Sequence, residues 1–280
     1  MKRLFPLLLV LLVLLAACRP TSPSPTASLS QNLEVHFIDV GQGDSIFVKA
    51  PDGKTMLIDG GERGSGTLEY LKGRGVKQID VMVATHPHDD HIGGLTEILR
   101  QMTVKEVWLN GDSTTTPTFS QFLQAIDGSG AKFNEAQRGN SISLGNLRFD
   151  VLNPRPSLPD DINGNSTVLR LEYGKVSFLF TGDATKEAES NMLNANENVR
   201  AKVLKVGHHG SSGSSSAAFL KAVAPEVAVY SAGKNNSYGH PAPVIISRLL
   251  SMGVKIFGTD VNGTVVVSSD GQTYQVTTQR

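Results

Sequence analysis

Cysteine is almost absent from this chain, because Cys18 is the only one among 280 residues. A single cysteine excludes an internal disulfide, so no disulfide framework can stabilise the fold. A basic excess is also missing, since 26 lysine and arginine residues balance 26 aspartate and glutamate residues. This balance argues against bulk electrostatic capture of nucleic acid, for which a strongly basic chain is expected, although it leaves room for a local basic rim.

The longest apolar run stands at the beginning of the chain. Lys2 and Arg3 precede residues 4–15, which are almost wholly apolar, and the small residues Ala16 and Ala17 follow. The run is shorter than the roughly 20 residues of a membrane-spanning helix, and its flanks are typical of a secretory signal. We therefore predict a signal peptide over residues 1–17. Its removal takes away two basic residues and leaves 24 against 26 acidic ones, a net charge of −2.

The residues around Cys18 resemble the bacterial lipobox, in which the cysteine is lipidated and becomes the mature N-terminus. We expect Cys18 to carry a lipid anchor that holds the protein on the extracytoplasmic face of a bacterial membrane. Residues 18–32 are rich in proline, serine and threonine and lack apolar periodicity, so they are predicted to be a disordered tether. Apolar patterning then continues through residues 33–280, a length that suits one large domain.

The most informative segment is residues 85–94, which read Thr-His-Pro-His-Asp-Asp-His-Ile-Gly-Gly. The apolar run 79–84 before it predicts a buried strand, and the pattern over 95–101 predicts a helix. Imidazole nitrogen and carboxylate oxygen bind first-row metals, and the HxHxDH spacing supplies enough of them for two ions. The alternative, a solvated polar loop, explains poorly why three of seven histidines gather here. We therefore predict a metal site containing His86, His88, Asp90 and His91.

Further candidate side chains follow other apolar strands. Asp183 would either cap a helix predicted over 184–193 or bridge two metal ions, and the histidine loop favours the bridge. Adjacent side chains usually diverge, so we expect only one of His208 and His209 to bind metal. We assign His208 to the metal and His209 to catalysis by orienting a ligand or moving a proton, although the sequence allows the reverse. His240 precedes a predicted helix and is a candidate proton donor.

Two segments nearby are open to more than one interpretation. Asp59 ends an apolar strand and is the best candidate for orienting a metal ligand from behind. The serine-rich loop 210–216 is either a flexible linker or a set of amides and hydroxyls that bind an anion where the next helix begins. Hairpin patterns and strand–helix alternation occur in both halves of the chain, which predicts two sheets packed face to face with helices outside.

Together these motifs resemble the metallo-β-lactamase superfamily and, more closely, the soluble domain of the ComEC competence proteins, whose membrane part carries the DNA-uptake channel. The likeness covers nearly all of residues 33–276. It runs through the motifs at residues 39–44, 57–61, 85–94, 165–169, 181–183, 208–211, 238–241 and 259–263. The resemblance implies an α/β (α+β) fold, the four-layer αββα sandwich, with a dinuclear metal hydrolase site at one sheet edge.

The resemblance also implies ligand sets for two divalent ions, zinc or manganese. The first ion would be held by His86, His88 and Asp183, and the second by Asp90, His91, Asp183 and one of His208 and His209. The superfamily usually has a further histidine between the loop and the bridging aspartate, and this chain has none there. In ComEC-like chains an Asn-Ser segment has that place, so Asn165 is expected to be a weak amide ligand or a neighbour of a bound water.

The expected activity is metal-dependent hydrolysis outside the cytoplasm. The resemblance favours a phosphodiester, most often nucleic acid such as DNA, as the substrate, with Asp90, His209 and His240 as the catalytic side chains. Alternatives are hydrolysis of a lactone, thioester or β-lactam, or a non-catalytic DNA-binding accessory role in DNA uptake. No multi-span membrane domain accompanies these motifs, so we expect that the chain is not itself a channel. The oligomeric state does not follow from the sequence.

Overall fold

The computed structural model describes residues 32–280. The signal peptide, Cys18 and the tether up to residue 31 lie outside the described residues, and their predictions stay untested. Within residues 32–280, no helix is long and apolar enough to cross a membrane. These residues form two β-sheets and seven α-helices.

The first sheet has eight strands and is antiparallel on one side and parallel on the other. In spatial order they are β15 (Tyr274–Thr278), β14 (Val265–Ser269), β1 (Leu33–Phe37), β2 (Ile46–Lys49), β3 (Thr55–Ile58), β4 (Gln78–Ala84), β5 (Thr103–Leu109) and β6 (Lys132–Glu135). Strands β3 to β6 run parallel to one another, and the remaining pairs are antiparallel.

The second sheet has seven strands with the same division. In spatial order they are β13 (Lys255–Gly258), β12 (Val227–Tyr230), β11 (Val203–Lys205), β10 (Val176–Phe180), β9 (Val168–Tyr173), β8 (Leu147–Asn153) and β7 (Ser141–Leu144). Strands β10 to β13 are parallel, and β7 to β10 are joined as antiparallel neighbours.

Helices cover the outer face of each sheet. The first sheet is covered by α1 (Thr67–Gly73), α2 (Asp89–Gln101) and α3 (Pro117–Ser129), and the second by α4 (Lys186–Asn194), α5 (Ala217–Val223) and α6 (Pro243–Ser251). Each set of helices packs an apolar face against its own sheet, which gives two outer cores. A 3₁₀ turn (Gly207–Gly210) and the short α7 (Thr259–Asn262) complete the described chain.

The central core lies between the two sheets. Alternate residues of β1 point into it, and Phe37 there meets Phe180 of β10 with ring centroids 6.4 Å apart. Phe178 and Phe149 add large buried side chains from the second sheet, and each such side chain contributes about 2–3 kcal/mol when fully removed from water. Two inner sheets with helices on both outer faces confirm the predicted αββα sandwich.

Helix α2 begins earlier than predicted, at residue 89 instead of 95. Two glycines stand inside it because the loop 60–62 packs directly on the helix. A Cβ atom at Gly94 would lie 2.1 Å from the carbonyl oxygen of Gly60, and the Gly94 amide donates to the Gly61 carbonyl at 2.9 Å. The earlier start puts Asp90 and His91 in the first helical turn, where the helix fixes their direction.

One further strand was not predicted from the sequence, and one further helix begins later than predicted. Strand β6 (Lys132–Glu135) lies at the sheet edge with mostly exposed side chains, so it has no apolar alternation to reveal it. Helix α4 begins at Lys186, with Thr185 as its N-cap. Asp183 therefore lies before the helix and is not its cap.

The loops that carry the predicted site residues leave one shared edge of the two sheets. They follow β3 and β4 in the first sheet, and β10, β11 and β12 in the second. These strands belong to the parallel parts of the sheets, whose carboxyl ends meet at this edge. Such edges are where open α/β sheets bind their ligands.

Candidate metal centre

Asp183 is the centre of a cluster of imidazoles. Its carboxylate is almost fully buried, and its Oδ1 lies 3.4 Å from Nε2 of His91. Its Oδ2 lies 3.5 Å from Nε2 of both His208 and His209, and 3.9 Å from Nε2 of His86. One carboxylate therefore faces histidines from both sheets, as a bridging ligand requires.

The histidine loop supplies two arms to this cluster. His86 Nε2 lies 3.1 Å from His88 Nδ1, on one side of the Asp183 carboxylate. Asp90 Oδ2 lies 3.2 Å from His209 Nε2 and 3.9 Å from His91 Nε2, on the other side. The six predicted metal residues and His209 thus come together at one place.

Asp59 supports the cluster from behind, as the sequence predicted. Its Oδ2 lies 2.7 Å from Nδ1 of His91, and both side chains are buried. Thr85 donates to the same carboxylate twice, through its amide at 2.8 Å and its hydroxyl at 2.7 Å. With Nδ1 occupied in this way, Nε2 of His91 faces Asp183 and is available to a metal.

His209 has its own support, which sequence reasoning missed. Its Nδ1 lies 3.0 Å from the Ser231 carbonyl oxygen and 3.4 Å from Oδ1 of Asp44. Asp44 in turn pairs at 2.6 Å with Lys205, whose side chain is fully buried. Because a buried lysine needs a partner, the Lys205 and Asp44 charges compensate each other beneath the site.

The backbone at His208 and His209 explains why both imidazoles reach Asp183. Their φ angles are 48° and 53°, in the left-handed region that residues other than glycine seldom adopt. The expectation that adjacent side chains diverge holds for strands and helices, and it is wrong for this turn. His209 is buried against Asp90, whereas the side chain of His208 is 26% exposed toward solvent.

The buried carboxylates of the cluster carry negative charge that positive groups must neutralise. Burial raises the pKa of Asp183, but the imidazoles of His209 and His91 outweigh it and hold that pKa well below its usual range. Burial lowers the pKa of His91 and of His209, but the surrounding carboxylates reverse this and hold both well above the usual range. Protons on these imidazoles therefore balance the carboxylates where metal cations would otherwise do so.

Unpartnered buried atoms test whether metals fit here. Among residues 32–280, Nε2 of His91, Nε2 of His209 and Oδ1 of Asp183 are buried without a hydrogen-bond partner. Polar atoms are rarely left in this state, and here three of them face one another. Ligand atoms of His86, His91 and Asp183, and those of Asp90, His91 and His209, form groups within 4.8 Å. The nitrogen and oxygen donors suit zinc or manganese.

Asn165 contacts other groups than expected. Its amide nitrogen donates to Oδ1 of Asp112 and to the Pro159 carbonyl, so it helps to fix a loop. The adjacent Ser166 has the place beside the cluster, with its hydroxyl 3.3 Å from Nδ1 of His86 and accepting from the Asp183 amide at 3.0 Å. The Asn-Ser segment therefore reaches the site through the serine, because the two side chains face opposite ways.

The serine-rich loop 210–216 does not present an empty anion site. The buried carboxylate of Glu189 already accepts the amides of Ser215 and Ser216 at the start of α5, the second at 2.9 Å. The Ser216 hydroxyl caps the same helix by accepting from the Phe219 amide at 3.2 Å. Both sequence interpretations, a flexible linker and an anion-binding loop, are therefore replaced by a structural role.

An open cleft of about 410 Å³ lies above the cluster. His240 stands at its side, with its ring centroid 5.6 Å from that of His208. Thr116 and Asn163 also line the cleft and were missed from the sequence, and Oδ1 of Asn163 is buried without a partner in the described part of the chain. Neither stands in a motif with metal-ligand spacing. The cleft is lined by Gln42, Pro87, His88, Asp89, Asp90, Thr116, Asn163, Asp183, His208, His209, Tyr238 and His240.

Comparisons with known proteins agree with this fold and site. A profile of the Metallo-beta-lactamase superfamily matches residues 38–234. ComE operon protein 3 of Bacillus subtilis (strain 168) is 37% identical over 260 residues, covering 85% of this chain and 33% of the relative. Competence protein ComA of Neisseria gonorrhoeae is 33% identical over 243 residues, with the same coverage. The chain thus spans about a third of the length of these curated relatives.

A solved structure supports the fold alone. Igni18, a metallo hydrolase from the archaeon Ignicoccus hospitalis KIN4/I, superposes with a TM-score of 0.58 at 20% identity, over 84% of this chain and 98% of that one. Fold and site together define a metal-dependent hydrolase of the αββα class. The chain belongs to the metallo-beta-lactamase superfamily and, within it, is related to competence proteins.

Proposed function

We propose that this protein is a lipid-anchored, extracytoplasmic phosphodiesterase that uses two divalent ions, zinc or manganese, with nucleic acid as its substrate class. The observation that carries the proposal is the carboxylate of Asp183, buried between two groups of imidazoles and open to the cleft above. A single-ion site would not need histidines on both sides of one carboxylate. The relation to competence proteins, together with the resemblance to the ComEC proteins of DNA uptake, favours nucleic acid as the substrate class.

We propose a specific division of ligands between the two ions, which follows the family resemblance except at His208 and His209. His86, His88 and Asp183 would hold the first ion. The second ion would be held by Asp90, His91, His209 and Asp183. We assign His209 to the metal and His208 to proton transfer, the reverse of the assignment made from sequence, because His209 is buried against Asp90 and held through Nδ1.

Two divalent ions in this site would make a hydroxide nucleophile available at neutral pH and neutralise charge that develops on a phosphoryl oxygen. The chain itself orients the donors. Asp59 and the Ser231 carbonyl fix the rings of His91 and His209, and the first turn of α2 fixes Asp90. Preset ligands reduce the reorganisation needed when the substrate arrives.

His240 is the proposed general acid for the departing oxygen. It lies beside His208 at the wall of the cleft, and its Nδ1 is buried without a partner in residues 32–280. Burial, together with the neighbouring His208 and His209, lowers the pKa of His240. A phosphodiester anion bound in the cleft would favour the protonated form again, so His240 would be charged when a leaving oxygen needs a proton.

The direct test is a cleavage screen of the full chain, purified in detergent and supplied with zinc or manganese. Substrates are single- and double-stranded DNA, RNA, bis(p-nitrophenyl) phosphate, nitrocefin, a lactone and a thioester. We expect cleavage of nucleic acid or the aryl phosphodiester, and loss of turnover in Asp90→Ala and His88→Ala. Asp127→Ala, an exposed carboxylate on α3, is the matched control and should keep full activity.

The outcomes separate the alternatives. Turnover of a lactone, thioester or β-lactam with none on any phosphodiester would show a hydrolase of another bond. No turnover, with both metals bound and DNA binding retained, would show a non-catalytic accessory. His240→Ala should lower turnover less than Asp90→Ala. An assisting acid contributes roughly 10²–10⁴-fold, whereas Asp90→Ala would take a ligand from the pair of ions that would make hydroxide available.

A further inference from the structure

We infer that Tyr238 is a stacking platform for an unpaired nucleobase at the rim of the metal cleft, so that the substrate is single-stranded nucleic acid. The inference rests on the proposed phosphodiesterase function and names the substrate class of that same site. It starts from the position of the side chain. Tyr238 lines the cleft together with His88, Asp90 and His208.

The side chain of this tyrosine is largely exposed to solvent. Its 68% exposed fraction is the highest among the large apolar side chains of residues 32–280. An aromatic ring that faces water loses the benefit of burial unless something covers it. The ring lines the cleft that contains the metal-ligand cluster, so the molecule that covers it is expected to be the one that enters the cleft.

One face of the ring is already fixed. Tyr238 stacks on His240 with ring centroids 5.8 Å apart and an interplanar angle of 23°. The side-chain oxygen of Asn236 accepts from the Tyr238 amide at 3.1 Å and from the His240 amide at 3.0 Å. Its side-chain nitrogen donates to the Gly233 carbonyl at 3.0 Å. The loop is thus held by one asparagine. The exposed ring is preorganised to stack on a planar ligand, which lowers the entropy cost of binding.

The charges of the cleft favour the same conclusion. In the described part of the chain no lysine or arginine lines this cleft, and the carboxylates that line it are those of Asp89, Asp90 and Asp183. Away from the ions, the cleft therefore has no lysine or arginine that could pair with the phosphates of a polyanion and so contribute to its affinity. Stacking on an aromatic face tolerates any base and needs no cation, but it requires a base free of its pairing partner.

The test compares two single-stranded oligomers of about 12 nucleotides, one of thymidine and one in which every base is absent and the sugar-phosphate backbone is intact. Metal-loaded full chain, purified in detergent, is assayed for kcat and KM on both. Tyr238→Ala should raise KM for the thymidine oligomer by roughly 5- to 150-fold and change KM for the baseless oligomer by less than about twofold. Tyr238→Phe should behave as the unsubstituted protein, since the ring is kept.

A matched control excludes a general surface effect. Phe133→Ala removes another exposed aromatic ring, on the edge strand β6 and outside the cleft, and should change neither KM. Equal losses on both oligomers in Tyr238→Ala would mean that the ring only supports His240, and no change on either would also overturn the inference. If the unsubstituted protein cleaves neither oligomer but cleaves another phosphodiester, single-stranded nucleic acid is not its substrate and the inference fails. If it cleaves no phosphodiester of any kind, the phosphodiesterase proposal fails. Fluorescence anisotropy of the same two oligomers then decides the role of Tyr238, with selective loss of thymidine binding as the expected result.

Discussion

Asp59 and His91 are joined beneath the metal cluster by a contact of 2.7 Å between carboxylate Oδ2 and imidazole Nδ1. Asp59 has a positive φ of 58°, so the chain takes a rarely populated backbone conformation where this contact is made. The pair links β3 to the first turn of α2. Its effect is to fix the ring of His91 so that Nε2 points at Asp183.

We predict that Asp59→Asn weakens binding of the second metal ion by about 10- to 100-fold. The amide can no longer accept both from Thr85 and from His91, so the imidazole loses its preferred orientation. Competition with a chelator measures the affinity. Asp80→Asn is the control, because Asp80 is a buried carboxylate at the opposite end of β4 that pairs with Lys105 at 2.7 Å. Equal affinities in Asp59→Asn and the unsubstituted protein would disprove the supporting role.

Asp183→Ala should lose most of both ions, since its carboxylate is the one group shared by the two proposed sites. Asp90→Ala should lose the second ion and keep the first. Elemental analysis of dialysed protein gives the metal content per chain, and circular dichroism checks that each variant is folded. Full occupancy in Asp183→Ala would show that this residue bridges nothing.

The sequence was sufficient for the parts of the site that follow regular strands. The apolar runs of β4 and β10 end where His86 and Asp183 begin, and parallel strands bring such ends to one edge. Local pattern could therefore find most of the candidate ligands. The sandwich and the bridging role of Asp183 were predicted from the residues, and the family resemblance added the ligand sets of the two ions.

The rest depended on backbone conformation and long-range contacts, which local pattern does not encode. The left-handed turn at His208 and His209 brings both imidazoles to the cluster, which the usual divergence of adjacent side chains does not predict. Lys205 and Asp44 are 161 positions apart in the chain, and no sequence pattern around either residue predicts that they pair. Asn165 was chosen over Ser166 because the residue types, without the strand geometry, do not reveal which side chain faces inward.

Lipidation of Cys18 is the prediction that concerns the region before residue 32. Cys18→Ala should leave protein that is unprocessed or released from the membrane, because the cysteine is the proposed attachment point and stable anchoring takes more than one acyl chain. Membrane fractionation and the mass of the mature protein measure both effects. Ser24→Ala, a substitution in the predicted tether, should change neither. Unaltered fractionation and mass in Cys18→Ala would contradict the lipobox interpretation.

His36 gives a pH dependence that is independent of the metals. It is buried in β1, with Nδ1 2.8 Å from the Tyr70 hydroxyl and Nε2 3.2 Å from Glu34. Burial lowers the pKa of His36 to about 4, with Glu34 opposing the shift and Arg74 and Lys49 adding to it. The folded pKa is below the unfolded value of about 6.5, so protonation favours the unfolded chain.

This contribution to the free energy of unfolding should be complete above about pH 6.5 and should decline by about 3 kcal/mol as the pH falls to about 4. Urea denaturation of metal-free protein with chelator present measures it. His36→Gln keeps a hydrogen-bonding side chain that does not titrate. The contributions of all other titratable groups to the pH dependence of unfolding therefore cancel when the two proteins are compared. The stability difference between them should be constant from pH 7 to 8 and shift in favour of His36→Gln below about pH 6. A difference that stays constant down to about pH 4 would mean that His36 is protonated as readily in the folded protein as in the unfolded chain.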